Sequence, residues 1–101
     1  MKLLIVTCLK EYFADVARLF KQANIDVYST TDITGHRYSE ELNLLEDWFV
    51  SGGEQAQSVM IFTFTAAVNA EVAIRLIKNY NETLKDNFPV RAFIMPVEQA
   101  V

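Results

Sequence analysis

Lys2-Leu3-Leu4-Ile5-Val6-Thr7-Cys8-Leu9-Lys10 is the stretch that decides the fold. It is apolar between two lysines, holds neither glycine nor proline, and has the length of a strand. Successive side chains of a strand point to opposite faces. Leu3, Ile5, Thr7 and Leu9 therefore share one face, and Leu4, Val6 and Cys8 share the other. Residues 58–65 repeat the pattern, with Val59, Ile61 and Thr63 against Met60, Phe62 and Phe64. Residues 89–97 repeat it again, with Val90, Ala92 and Ile94 against Phe93, Met95 and Val97. A strand with one wet face would alternate apolar with polar. Both faces of this sheet are thus expected to be covered.

The rest of the chain predicts helix for one face only. Residues 11–23 place Phe13, Val16, Ala17, Phe20 and Ala23 on one helical stripe, with Asn24 as the stop. A second helix is expected from an Asn69 cap to about Leu84, with Val72, Ala73, Leu76, Ile77, Tyr80 and Leu84 as its apolar stripe. Residues 25–33 read as a further strand, rich in β-branched side chains and ended by Gly35. The order is βαββαβ, which predicts an α+β, ferredoxin-like sandwich in a single domain, 1–101. Two helices would cover one face of a four-stranded antiparallel sheet. The other face calls for a partner, and the simplest is another copy of the chain.

Composition narrows the function classes. The chain has 101 residues, 51% of them hydrophobic, and a net charge of -4. At this length about 65% of the unfolded surface is buried on folding. An acidic chain is a poor ligand for nucleic acid, whose phosphates require a basic surface. Cys8 is the single cysteine, so no intramolecular disulfide and no CxxC site is available. No signal peptide and no membrane-spanning stretch is read, and a cytoplasmic location with a reduced thiol is expected.

Four stretches carry a resemblance: Met1-Lys2-Leu3-Leu4-Ile5, Asp15-Val16-Ala17-Arg18-Leu19-Phe20, Ser29-Thr30-Thr31-Asp32-Ile33-Thr34-Gly35-His36-Arg37, and Pro96-Val97-Glu98-Gln99-Ala100-Val101. In their order and spacing they resemble the PII signal-transduction superfamily, over nearly the whole chain. The resemblance implies a homotrimer of ferredoxin-like subunits. It implies a regulatory role exercised through a long connection, here about 36–57, that corresponds to the family's T-loop. It implies a protein partner for residues 38–57, in the family often a membrane transporter or a metabolic enzyme. It also implies an inter-subunit cleft at the base of that connection, where Gly35, His36 and Arg37 would hold a small effector.

The chain departs from the family where nucleotide binding is concerned. Residues 79–88 stand where the family's nucleotide binders have a glycine-rich loop, yet they hold no glycine. Backbone approach to phosphate through them is expected to be blocked. The magnesium-chelating glutamine is not evident after Arg37, and the family's basic extension is not expected after Val101. Sensing of ATP, ADP or 2-oxoglutarate is therefore not expected, and no cofactor is assigned. A CutA-like metal-binding trimer is the nearest sibling reading. An ACT-like small-ligand domain is the third.

The candidate residues each have a plainer reading. Arg37 is suited to pair with a phosphate or carboxylate, or else with Glu40 or Glu41. His36, the single histidine, stands at a loop base as a candidate metal ligand or pH-sensitive contact, although no ligand spacing supports a metal. Cys8 reads as a small core residue. Glu40, Glu41, Glu46 and Asp47 read as a solvated acidic loop, because nothing orients them as an acid–base pair, and no enzymatic activity is expected. Tyr38, Leu44, Leu45, Trp48 and Phe49 form the candidate partner-binding set. Large aromatics in a polar, Gly-flanked segment are recurrent hot-spot residues, unless they close on their own assembly.

Overall fold

The computed structural model describes residues 1–36, 55–85 and 88–101. Its elements run in the order β1 (Lys2–Leu9), a 3-10 turn (Lys10–Tyr12), α1 (Phe13–Gln22), β2 (Ser29–His36), β3 (Gln55–Thr65), α2 (Ala67–Thr83) and β4 (Arg91–Pro96). The four strands form one sheet in the order β2-β3-β1-β4. All three pairings are antiparallel. The architecture is α+β, an open antiparallel sheet with two helices, and it is compatible with a ferredoxin-like sandwich.

β1 sets the layers, because it lies between β3 and β4. Leu4, Val6 and Cys8 are fully buried and join one core cluster with Val16 and Phe20 of α1 and Ala73 and Ile77 of α2. In register, Leu4 lies opposite Thr63 and Ile94, and Val6 opposite Ile61 and Ala92. These residues make the helix-covered face. Leu3, Ile5 and Thr7 turn to the opposite face with Met60, Phe62, Phe64, Phe93 and Met95. That face is graded. Thr7 and Ser58 are buried at one end, whereas Phe64 is 57% exposed and Met95 41% exposed at the other.

α1 ends as its asparagine predicts. Asn24 takes φ 60, a left-handed conformation that asparagine tolerates. The Ile25 N–H donates to the Phe20 carbonyl at 2.9 Å and the Asn24 N–H to the Lys21 carbonyl at 3.1 Å. This is a Schellman turn, with Ile25 and Phe20 as its buried apolar pair. The turn also corrects the expected strand at 25–33. Ile25 belongs to the helix cap, Val27 is 81% exposed, and β2 starts only at Ser29. Instead of ending the strand, Gly35 stays in it, paired with Ala56, and β3 accordingly starts at Gln55. Nor is β2 apolar on both faces. It is an edge strand and mostly exposed, which is where a polar sequence is tolerated and protective.

The helix α2 begins two residues before the expected Asn69 cap. Ala66 is the extended N-cap residue, and its carbonyl accepts the first helical bond from the Ala70 N–H at 3.1 Å. β3 ends at Thr65, so one residue turns the chain from strand to helix. At the other end, the Asn81 side chain grips the backbone of Val90. Its Nδ2 donates to the Val90 carbonyl at 2.9 Å, and its Oδ1 accepts from the Val90 N–H at 2.8 Å. Both backbone groups of Val90 are thereby satisfied by a side chain, and the β4 ladder starts one residue later, at Arg91 rather than at Pro89. Asn81→Ala would orphan both groups beside a buried residue. A loss of about 1–3 kcal/mol is expected, read as a melting-temperature drop of about 5–15 °C.

Candidate functional site

The end of β2 carries the residues singled out for an effector. Gly35 is buried and His36 is exposed, at consecutive positions opposite Ala56 and Gln55. Arg37, the third member, lies outside the described residues, as do Tyr38, Glu40, Glu41, Leu44, Leu45, Glu46, Asp47, Trp48 and Phe49. The two strands that lead into and out of residues 37–54 are neighbours in the sheet, so that segment leaves and re-enters the fold at one end of the β2–β3 pair.

Cys8 and His36 do not come together as a metal pair. Cys8 is fully buried on the helix-covered face, in the core cluster, while His36 is exposed on the edge strand. Among the described residues no group of three or more His, Cys, Asp or Glu side chains forms a metal-ligand cluster. Burial pushes the Cys8 thiol up to about 12 from an ordinary 9.0. Thiolate is the reactive form, so the native protein is expected to resist alkylation at pH 8 and to label only on unfolding. The linkage has a definite sign. Above pH 9 the unfolded chain's thiol loses its proton while the buried one keeps it. This group's share of stability is present below pH 9 and is lost as pH rises to about 12. Urea midpoints measured across that range should fall, and they should fall less in Cys8→Ala.

Three polar contacts tie the elements together, and sequence spacing had paired none of them. Tyr80 of α2 donates its hydroxyl to the Asp15 carboxylate of α1 at 2.6 Å. Arg18 donates to the other carboxylate oxygen at 2.5 Å, and the Tyr12 ring meets the Tyr80 ring edge-on at 6.3 Å. Burial, then the bond to Asp15, raises the Tyr80 phenol above its ordinary range. One signal was available: a tyrosine on an apolar helical stripe carries a hydroxyl that needs a partner when buried. The second contact is the ion pair between Lys10 Nζ and Asp32 Oδ2, 3.1 Å apart. It bridges the 3-10 turn and the edge strand at the mouth of a recess. The third is the Thr63 hydroxyl, which donates to the Val27 carbonyl at 2.6 Å, just before β2 begins.

The Ser58 hydroxyl is buried and has no hydrogen-bond partner among the described residues. It sits opposite Leu9 and Ile33, at the buried end of the face turned away from the helices. Its neighbour across the strands, Thr7, lies opposite Met60 and Arg91 on the same face. No helix among the described residues is long and apolar enough to cross a membrane. No family model matches the chain, and no curated protein matches it significantly.

Proposed function

We propose that this protein is a ferredoxin-like, PII-like regulatory subunit that assembles as a homotrimer through its uncovered sheet face and signals to a protein partner through residues 38–57. One observation carries the reading. The sheet turns Leu3, Ile5, Met60, Phe62, Phe64 and Met95 away from both helices, and Phe64 and Met95 stay exposed in the single chain. A patch of that kind on a small acidic protein marks an association surface. Two-fold or three-fold closure would bury it, and the resemblance to PII subunits favours three.

In this reading the trimer is a rigid, cytoplasmic core without enzymatic activity. Gly35, His36 and Arg37 hold a small effector in the cleft between subunits. The segment beyond them, with Tyr38, Leu44, Leu45, Trp48 and Phe49, meets the partner, a membrane transporter or a metabolic enzyme. The mechanism is a population shift: an effector that binds one conformation of the segment better raises that conformation's share. No nucleotide is needed, since residues 79–88 lack the glycines that would let backbone N–H groups approach a phosphate.

The test is a pull-down from native extract with the wild-type chain and with a Trp48→Ala, Phe49→Ala double variant. The double variant is expected to keep the wild-type mass and melting temperature and to lose the partner. A melting temperature lower by many degrees would place both aromatics in the protein's own core, and the signalling role of the segment would fall.

A further inference from the structure

We propose that the recess beside the Lys10–Asp32 ion pair binds a small zwitterion with an apolar side chain, an α-amino acid of about the size of leucine. The recess has a volume of about 310 Å³ and is lined by Lys10, Phe13, Thr30, Asp32 and Val59. That volume is at the lower end of the range for small-molecule pockets, and the recess is open rather than enclosed. It opens at the sheet edge, where the start of α1 faces β2. Its floor is apolar: Val59 is 6% exposed, and the Phe13 ring is braced edge-on by Tyr28 at 6.5 Å. Its rim carries one ammonium, one carboxylate and one hydroxyl.

Those three groups match an α-amino acid in kind. The ligand carboxylate would pair with Lys10 and its ammonium with Asp32, so that one ion pair opens and two form. The side chain would lie over Phe13 and Val59. Lys10 and Asp32 are 50% and 74% exposed, and an ion pair so exposed is weak enough to open readily. The rim also argues against other classes. A phosphate ester would find a single cation with a carboxylate 3.1 Å away, and that repels an anion. A purely apolar ligand would make no use of the ammonium and carboxylate at the rim.

The experiment is a titration of the intact protein followed by the Val59 methyl resonances. L-leucine, N-acetyl-leucine and leucinamide are the three probes. Leucine is expected to give a saturable shift. Removing either ligand charge, or making Lys10→Gln or Asp32→Asn, should weaken the apparent Kd about tenfold or more. Both side chains lie at the surface, so the variants should fold, and circular dichroism would verify it. No saturable shift up to about 10 mM leucine, or equal responses to leucine and the two capped analogues, would overturn the proposal. The recess is built within one chain, so either outcome leaves the assembly and the partner segment to be judged separately.

Discussion

Phe62→Asp is expected to convert the proposed homotrimer into a folded monomer of 11.5 kDa. Phe62 lies on the uncovered face of the sheet, opposite Ile5 on β1 and Ser29 on β2, close to its middle. In the isolated chain it is only half-buried, so an aspartate there can reach water and the helix-covered core is untouched. In a symmetric assembly the same carboxylate would be buried once per subunit and would face its own copies. Burying an unpaired charge costs several kcal/mol even after relaxation, and the symmetry multiplies that cost. Light scattering should give three times the chain mass for the wild type and the chain mass for the variant, with similar far-ultraviolet circular dichroism. A wild type that is monomeric at micromolar concentration would remove the assembly from the proposal. A variant that stays assembled would move the interface to another face.

Phe20→Ala should have the largest effect on stability. Phe20 is fully buried, meets the Tyr28 ring edge-on at 5.3 Å, and supplies the carbonyl that closes α1 against Ile25. It joins α1, the α1–β2 connection and the sheet in one contact set. Truncation removes the ring's transfer energy and leaves a cavity, a loss of about 3–5 kcal/mol. Domains of this size have about 5–15 kcal/mol in total. The melting temperature should fall by about 15–30 °C. A fall of less than about 5 °C would mean that the neighbouring side chains collapse into the space. Phe64→Ala is the contrast. At 57% exposure it should barely change the stability of the monomer, while weakening the proposed homotrimer.

The two-faced reading of β1 and the stripe on α1 were legible because both rest on short periods. A residue's face in a strand or helix follows from its neighbours two, three or four positions away. Asn24 was legible for the same reason, since its left-handed turn is a local event. The first four residues of the strand expected at 25–33 failed for a related reason, while Ser29 to Ile33 lie in β2. Ile25 and Val27 have strand-like side chains, but strand preference depends on context. The cap of α1 takes Ile25, and the Val27 carbonyl accepts from the Thr63 hydroxyl two residues before the ladder begins. Pro89 and Val90 failed at the other edge of the sheet, because a helix side chain satisfied the backbone first.

The candidate site was legible in part. Gly35 was expected to end the strand and His36 to open the long connection, whereas both lie within β2. The recess at Lys10 and Asp32 was not foreseen. Its two charges are 22 positions apart, its floor adds Val59, and no spacing rule joins the three.

From its sequence alone this chain determined the order of its strands and helices and the apolar character of both faces of β1. These follow from local sterics and from the alternation of side chains that must leave water. Only the tertiary structure decided the sheet order β2-β3-β1-β4, which puts the polar β2 at the edge. It also decided that Tyr80 meets Asp15 across 65 positions and that Asn81 holds Val90. Such pairings depend on which surfaces pack together in space, and packing is settled by the burial of the whole chain rather than by any short window of it.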